Sequence, residues 1–280
     1  MYIDNEPAGK LIIQLAPTGM KPKKSDTPYV PLSPGEIAED TCKAYALGAS
    51  VVHVHARDEH GEPTHKKETY GEIISAIRKK CPGIIICVST SGRNDRDVAH
   101  RAEVLELGPD MATLMLGTVN FQDRPSLNTN ADITALAGAM DKYGVKPELE
   151  VFEPGFINVA KYLSRKGHLH APMHFNLMLG SLGSIPAGMA DLAYLAGSIP
   201  EGSTWCAGGI GRYQLQVNTA SMLMGGHVRV GLEDSIYYSY PKKDLTTNEA
   251  LVARVVRIAK ELGREIATPA EARAILGLRP

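Results

Sequence analysis

The stretch SPGEIAEDTCKAYALGASVVHVHARD, residues 33–58, holds one helix and one strand in immediate succession. Ser33 is a natural helix cap, Pro34 suits a first helical position, and Gly48 stops the chain, which predicts a helix over Pro34–Leu47. The next run, Ser50–Ala56, is rich in valine and lacks strict apolar–polar alternation. That pattern predicts a strand covered on both faces, as in a parallel sheet flanked by helices.

The same alternation recurs on either side. Strands are predicted at Leu11–Ala16, Ser50–Ala56, Gly83–Ser89, Met111–Leu116, Pro147–Glu153, Pro172–Leu179, Ser203–Gly208 and Val228–Glu233. Beyond Pro34–Leu47, helices are predicted over Lys66–Lys80, Asp95–Glu106, Ala131–Tyr143, Gly155–Lys166, Pro186–Ala196, Tyr213–Met224 and Asn248–Leu262, with a last short one at Pro269–Leu276 capped by Thr268. Alternating strands and helices with no break in composition predict an α/β protein, a single (β/α)8 TIM-barrel domain over residues 1–280. An open doubly wound sheet would need a glycine-rich dinucleotide turn after the first strand, and Ala16-Pro17-Thr18-Gly19 is not one.

Composition narrows the class further. The chain is 44% hydrophobic and 22% charged with a formal net charge of -1, so no general attraction to nucleic acid or to a membrane surface is expected. No apolar run approaches the roughly 20 residues of a membrane span, and the first residues lack the basic and apolar segments of a secretory signal. Cys42, Cys81, Cys87 and Cys206 form no CxxC pair, and they read as reduced thiols of a cytoplasmic protein.

In a TIM barrel the chemistry sits at the C-terminal ends of the strands. His53 and His55 are two apart on the second strand and so share the face opposite Val52 and Val54. They are either hydrogen-bonded core histidines or a platform for a divalent cation. Glu233, at the tip of the eighth strand, can approach them because that strand closes the barrel beside the first. Two imidazoles and a carboxylate make a catalytic zinc pattern that also suits Fe²⁺, Co²⁺ or Mn²⁺. Asp234 points the other way on a regular strand and is then available as a base. The third strand's tip, Ser89-Thr90-Ser91-Gly92, offers hydroxyl and backbone N–H donors to a carboxylate or oxyanion, and Leu179–Ser184 could admit a phosphate or pantetheine chain.

Several motifs together resemble the β-keto acid cleavage enzymes, whose namesake cleaves 3-keto-5-aminohexanoate. They are Pro31 to Glu36, Gly48 to Asp58, Met111 to Leu114 with Gly117 and Asn120-Phe121, Trp205 to Arg212, Gly225 to Asp234, and the tail from Leu251 to Arg273. The resemblance implies a zinc TIM barrel that takes a 3-oxo acid and acetyl-CoA to acetoacetate and a new acyl-CoA, in a homotetramer. By the same resemblance His53, His55 and Glu233 match the zinc ligands, Asp234 the base and Arg229 its arginine partner, while Ser89 and Thr113 match residues that hold the keto acid. Arg229 and Glu233 share strand parity, so pairing Arg229 with Asp234 requires a bend near Gly231. Lys21 aligns with a glutamate that can pair with the namesake's substrate amino group. The reversal implies an uncharged or anionic side chain, as in 3-oxoadipate or 3-oxoglutarate, unless Lys21 points to solvent and selects nothing. Two other readings stay open: a zinc aldolase or hydrolase on this barrel, and a non-catalytic metal- or acyl-CoA-binding protein.

Overall fold

The computed structural model describes residues 9–279. Residues 1–8, which bear on the expectation of no secretory signal, lie outside them. Eight parallel strands close into a barrel: β1 (Ile13–Leu15), β2 (Val51–Val54), β3 (Ile85–Val88), β4 (Met111–Met115), β5 (Lys146–Val151), β6 (His174–Leu179), β7 (Thr204–Gly209) and β8 (His227–Val230). Strands adjacent in sequence are adjacent in the barrel, and β8 pairs with β1 in the register Gln14 opposite Arg229. All eight fall inside or within a residue or so of the predicted runs.

Pleating sorts the side chains. Val52, Val54, Ile86, Val88, Leu114, Leu149 and Leu177 point outward into the main apolar layer beneath the helices. That leaves the intervening residues to fill the barrel. At the N-terminal end Ile12, Val51, Ile85 and Met111 pack with Ala267, Ala272 and Leu276. These last residues belong to or precede α9 (Pro269–Leu276), which closes that end of the barrel. The plug is pinned by backbone bonds, Leu11 N–H to Glu265 O at 2.7 Å and Ala267 N–H to Leu11 O at 2.9 Å.

The outer helices are α1 (Pro34–Ala46), α2 (Lys67–Lys80), α3 (Val98–Ala102), α4 (Asn130–Tyr143), α5 (Pro154–Arg165), α6 (Met189–Ser198), α7 (Gln214–Leu223) and α8 (Asn248–Glu261). Ser33 and Glu36 form a reciprocal capping box on α1, as Thr268 and Glu271 do on α9. Two boundaries differ from expectation. The Asp95 carboxylate accepts the Asp97 N–H at 2.9 Å and makes a turn, so α3 starts later, from its Asp97 cap. A 3₁₀ turn over Glu103–Leu107 completes that segment. α6 begins after Gly188 and runs through Gly197, stopping only when Pro200 forces Ile199 into an extended conformation. Two short antiparallel ribbons were not expected: Ala56–Arg57 with Pro63–Thr64 after β2, and Val119–Asn120 with Pro125–Ser126 after β4. Among the described residues no helix is long and apolar enough to cross a membrane.

Candidate active site

The mouth of the barrel is built around the two histidines of the β2 end. Their rings lie edge to face, 4.8 Å apart. His55 Nε2 is 3.3 Å from Glu233 Oε1 and His53 Nε2 is 3.6 Å from Glu233 Oε2. Glu233 reaches them because β8 ends earlier than predicted, at Val230, and the chain turns at Gly231. The turn is sewn to β1 by Ala16, which donates to Val230 O at 2.9 Å and accepts from Glu233 N–H at 3.1 Å. Gly231 is required there, since a Cβ would stand 2.0 Å from the Ala16 oxygen. Gly19 has φ +63° and its missing Cβ would fall 2.5 Å from Glu233 Cγ, so the β1 loop passes directly over the carboxylate.

The turn also answers the parity objection. Arg229, buried on β8, donates from Nε to Asp234 Oδ2 at 3.0 Å and from Nη2 to Asp234 Oδ1 at 3.1 Å. The same Nη2 lies 2.7 Å from Glu233 Oε1, and Nη1 is 3.8 Å from Glu150. One guanidinium thus serves three carboxylates. Against the cost of burial, Arg229 first and then His55 and His53 hold Glu233 well below the usual carboxylate range. Burial raises Asp234, with Arg229 opposing and Glu233 adding to the rise. Burial pushes Glu150 up to about 8. Burial also keeps His53 neutral, the form in which imidazole binds a metal.

The donor set fits a divalent cation. The ligand atoms of His53, His55 and Glu233 all lie within 4.8 Å of one another, and Glu233 Oε2 is buried without a hydrogen-bond partner. A second group, His53 with Cys87 and Glu148, meets the same distance criterion. It fits less well. Glu148 already accepts from Gln14 at 2.6 Å and Asn176 at 3.0 Å, and burial keeps the Cys87 thiol protonated.

The cavity above these groups has a volume of about 530 Å³, with His55, Ser89, Glu150, Arg229, Glu233 and Asp234 in its walls. Lys21 stands exposed at its edge. The Ser89 hydroxyl accepts from Ser91 N–H at 3.3 Å. Thr113 and Gly92 stand behind the wall. The Thr113 hydroxyl accepts from Thr90 N–H at 3.1 Å, and a Cβ on Gly92 would meet Leu127 O at 2.6 Å. Glu148 and Glu150 were not singled out from the sequence. Two residues apart on β5, they obey the parity rule that marks His53 and His55, and that signal was sufficient to find them.

Comparison with known proteins follows the same line. A family model described as beta-keto acid cleavage enzyme matches residues 10–278. A 3-keto-5-aminohexanoate cleavage enzyme of Fusobacterium nucleatum is 46% identical over 272 residues, covering 96% of this chain and 98% of the relative. A 3-oxoadipate:acetyl-CoA acetyltransferase of Cupriavidus necator is 38% identical, covering 95% of this chain and 94% of the relative. The apo structure of ObcA shares the fold with a TM-score of 0.80 at 23% identity, over 90% of this chain and 66% of that one.

Proposed function

The chain belongs to the β-keto acid cleavage enzyme family, and from that premise we propose that it exchanges acyl groups between a 3-oxo acid and acetyl-CoA, using a zinc ion held by His53, His55 and Glu233. The observation that carries this reading is the two-point grip of Arg229 on Asp234 beside that ligand set. Zinc supplies Lewis acidity that polarises the 3-oxo group. Asp234, raised by burial, removes the C2 proton, and Arg229 fixes its carboxylate in position.

The resulting carbanion attacks the acetyl thioester carbonyl and expels CoA thiolate. The thiolate then attacks the former 3-oxo carbon. The C2–C3 bond breaks, C2 regains its proton from Asp234, and acetoacetate and a new acyl-CoA leave. The Ser89 hydroxyl donates to the keto acid's carboxylate, and Thr113 shapes that corner through Thr90. Gly92 supplies no contact of its own but lets the β3 loop settle against Arg101. The same reading makes the enzyme cytoplasmic, in keeping with four free cysteines, and homotetrameric, in keeping with the exposed Met189, Tyr194, Leu223 and Met224 on or beside α6 and α7.

The test is a panel of 3-oxo acids offered with acetyl-CoA, following acetoacetate and the new acyl-CoA together, with metal content measured on the same sample. Both products, formed only with acetyl-CoA and lost in His53→Ala, are expected. Turnover without acetyl-CoA would make this an aldolase or hydrolase. A metal-loaded protein silent toward every acid would make it a binding protein.

A further inference from the structure

Arg93 follows the β3 tip and, among the described residues, is the half-buried arginine of the cavity wall whose side chain makes no hydrogen bond or ion pair; Arg212, also in that wall, is exposed to solvent. The buried arginines set the standard. Arg57, Arg101, Arg254 and Arg264 all donate to backbone carbonyls, and Arg229 donates to carboxylates. Arg93 is half-buried, its Nε is shielded from solvent without an acceptor, and among the described residues no carboxylate lies within ion-pair distance of it. Its guanidinium is not loose. The central carbon rests 3.7 Å above the Phe121 ring, and Phe121 is braced edge-on by Phe152 at 5.3 Å. A planar fork is therefore fixed on an aromatic shelf in the wall of the cavity, stripped of part of its water and given no hydrogen-bond acceptor in exchange.

The surroundings add a second free cation. Lys21 lines the same edge and makes no ion pair among the described residues. The acid on that edge is Asp123, which feels the charges of Arg93 and Lys21 without lying within ion-pair distance of either, and stands 3.9 Å from Arg124. Arg93 and Lys21 outnumber that one acid, and the exposed Arg212 adds to the cavity wall a third cation without an ion pair among the described residues. The same cavity holds the acids Glu150, Glu233 and Asp234. A substrate held at the reacting groups therefore shares the cavity with positive charge that no ion pair occupies.

We propose that Arg93, with Lys21 assisting, binds a second carboxylate at the far end of the substrate, so that the enzyme acts on 3-oxo dicarboxylates in preference to neutral or aminated 3-oxo acids. The inference rests on the function proposed above and deepens it. A guanidinium fork takes a carboxylate at two points, which a lysine does not. The phosphates of CoA share this anionic chemistry, and the experiment separates the two sources.

Three 3-oxo acids of matched length are compared, one ending in a carboxylate, one in a methyl and one in an ammonium group, with wild type, Arg93→Ala, Arg93→Lys and Lys21→Ala. In wild type, kcat/KM for the dicarboxylate exceeds the others. Arg93→Ala lowers it about 100-fold, mainly through KM, as expected when one side of a partly buried charge pair is removed. The methyl-ended acid and the KM for acetyl-CoA are nearly unchanged. Arg93→Lys recovers part of the loss, and Lys21→Ala, at an exposed cation, costs about fivefold or less. An equal loss on all three acids would overturn the proposal, as would a rise confined to the KM for acetyl-CoA, which would assign Arg93 to the phosphates. A calorimetric titration of the holoenzyme with adipate, a dicarboxylate that cannot react, needs no turnover. Binding by wild type and its loss in Arg93→Ala support the proposal even if every assay is silent, and equal binding by both proteins sinks it.

Discussion

The two ends of the barrel interior are filled from inward positions of the same strands, yet they have opposite characters. The floor is dry: Ile12, Val51, Ile85, Met111 and Leu276 pack against one another. Its two histidines are spoken for, His227 Nδ1 accepting from Ile12 N–H at 3.1 Å and His174 Nδ1 lying 2.8 Å from the Thr204 hydroxyl. Burial lowers both to about 3, so they stay neutral. The mouth holds His53 and His55 on the same inward faces, but their Nε2 atoms converge on a carboxylate. Between the ends, Glu148 is bound by the amides of Gln14 and Asn176. A buried histidine in this fold is thus distinguished by its height along the strand and by what its nitrogens face, since burial is common to all four.

The sharpest way to break this comparison is to disable each end separately. Asp234→Asn should lower kcat by about 10²–10⁴ with metal content and melting temperature nearly intact, the usual range for a lost general base. A loss of metal together with activity would instead make Asp234 part of the ion's cage. At the floor, Leu276→Ala should cost about 2–4 kcal/mol in urea unfolding, because Leu276 is 1% exposed and its removal leaves a cavity. The kcat of the folded fraction should not move. A fall in kcat would show that the two ends are coupled. His227→Ala should cost about 1–3 kcal/mol by leaving the Ile12 N–H unpaired, with metal per chain unchanged. His53→Ala should show the reverse, metal lost and stability of the metal-free protein little altered.

The smallest effect concerns Glu150. Burial pushes it up to about 8 in the folded chain, from the ordinary glutamate value of 4.5. Between those values the folded chain binds more protons than the unfolded one, so this group's contribution to stability falls as pH rises through that window. In metal-free protein, Glu150→Gln should therefore gain melting temperature relative to wild type between pH 5 and pH 8.5. A gap that does not change with pH would mean Glu150 is ionised throughout.

The barrel was legible because most strands are rich in valine, isoleucine and leucine without strict alternation and most helices carry their own stop signals. His53 and His55 were legible because parity is a local property. Glu150 obeyed the same rule and went unread because its neighbours Lys146 and Glu148 make β5 look polar from the sequence. The height at which β8 ends was not legible. It depends on how closely Gly231 approaches Ala16, a contact across the barrel seam. Arg93 was beyond reach for a similar reason, since its meaning lies in Phe121, on a different loop.

The loop that carries Lys21 is held by Arg57, which donates to the carbonyls of Gly19 at 2.9 Å, Pro22 at 3.1 Å and Gly61 at 2.8 Å. All three acceptors are main-chain atoms, and none depends on which side chain stands at position 21. Evolution can therefore exchange the residue there, acid for base or charge for none, without rebuilding the support beneath it. If position 21 helps select the substrate as proposed, preference shifts by single substitutions at the edge while the groups around Glu233 stay as they are.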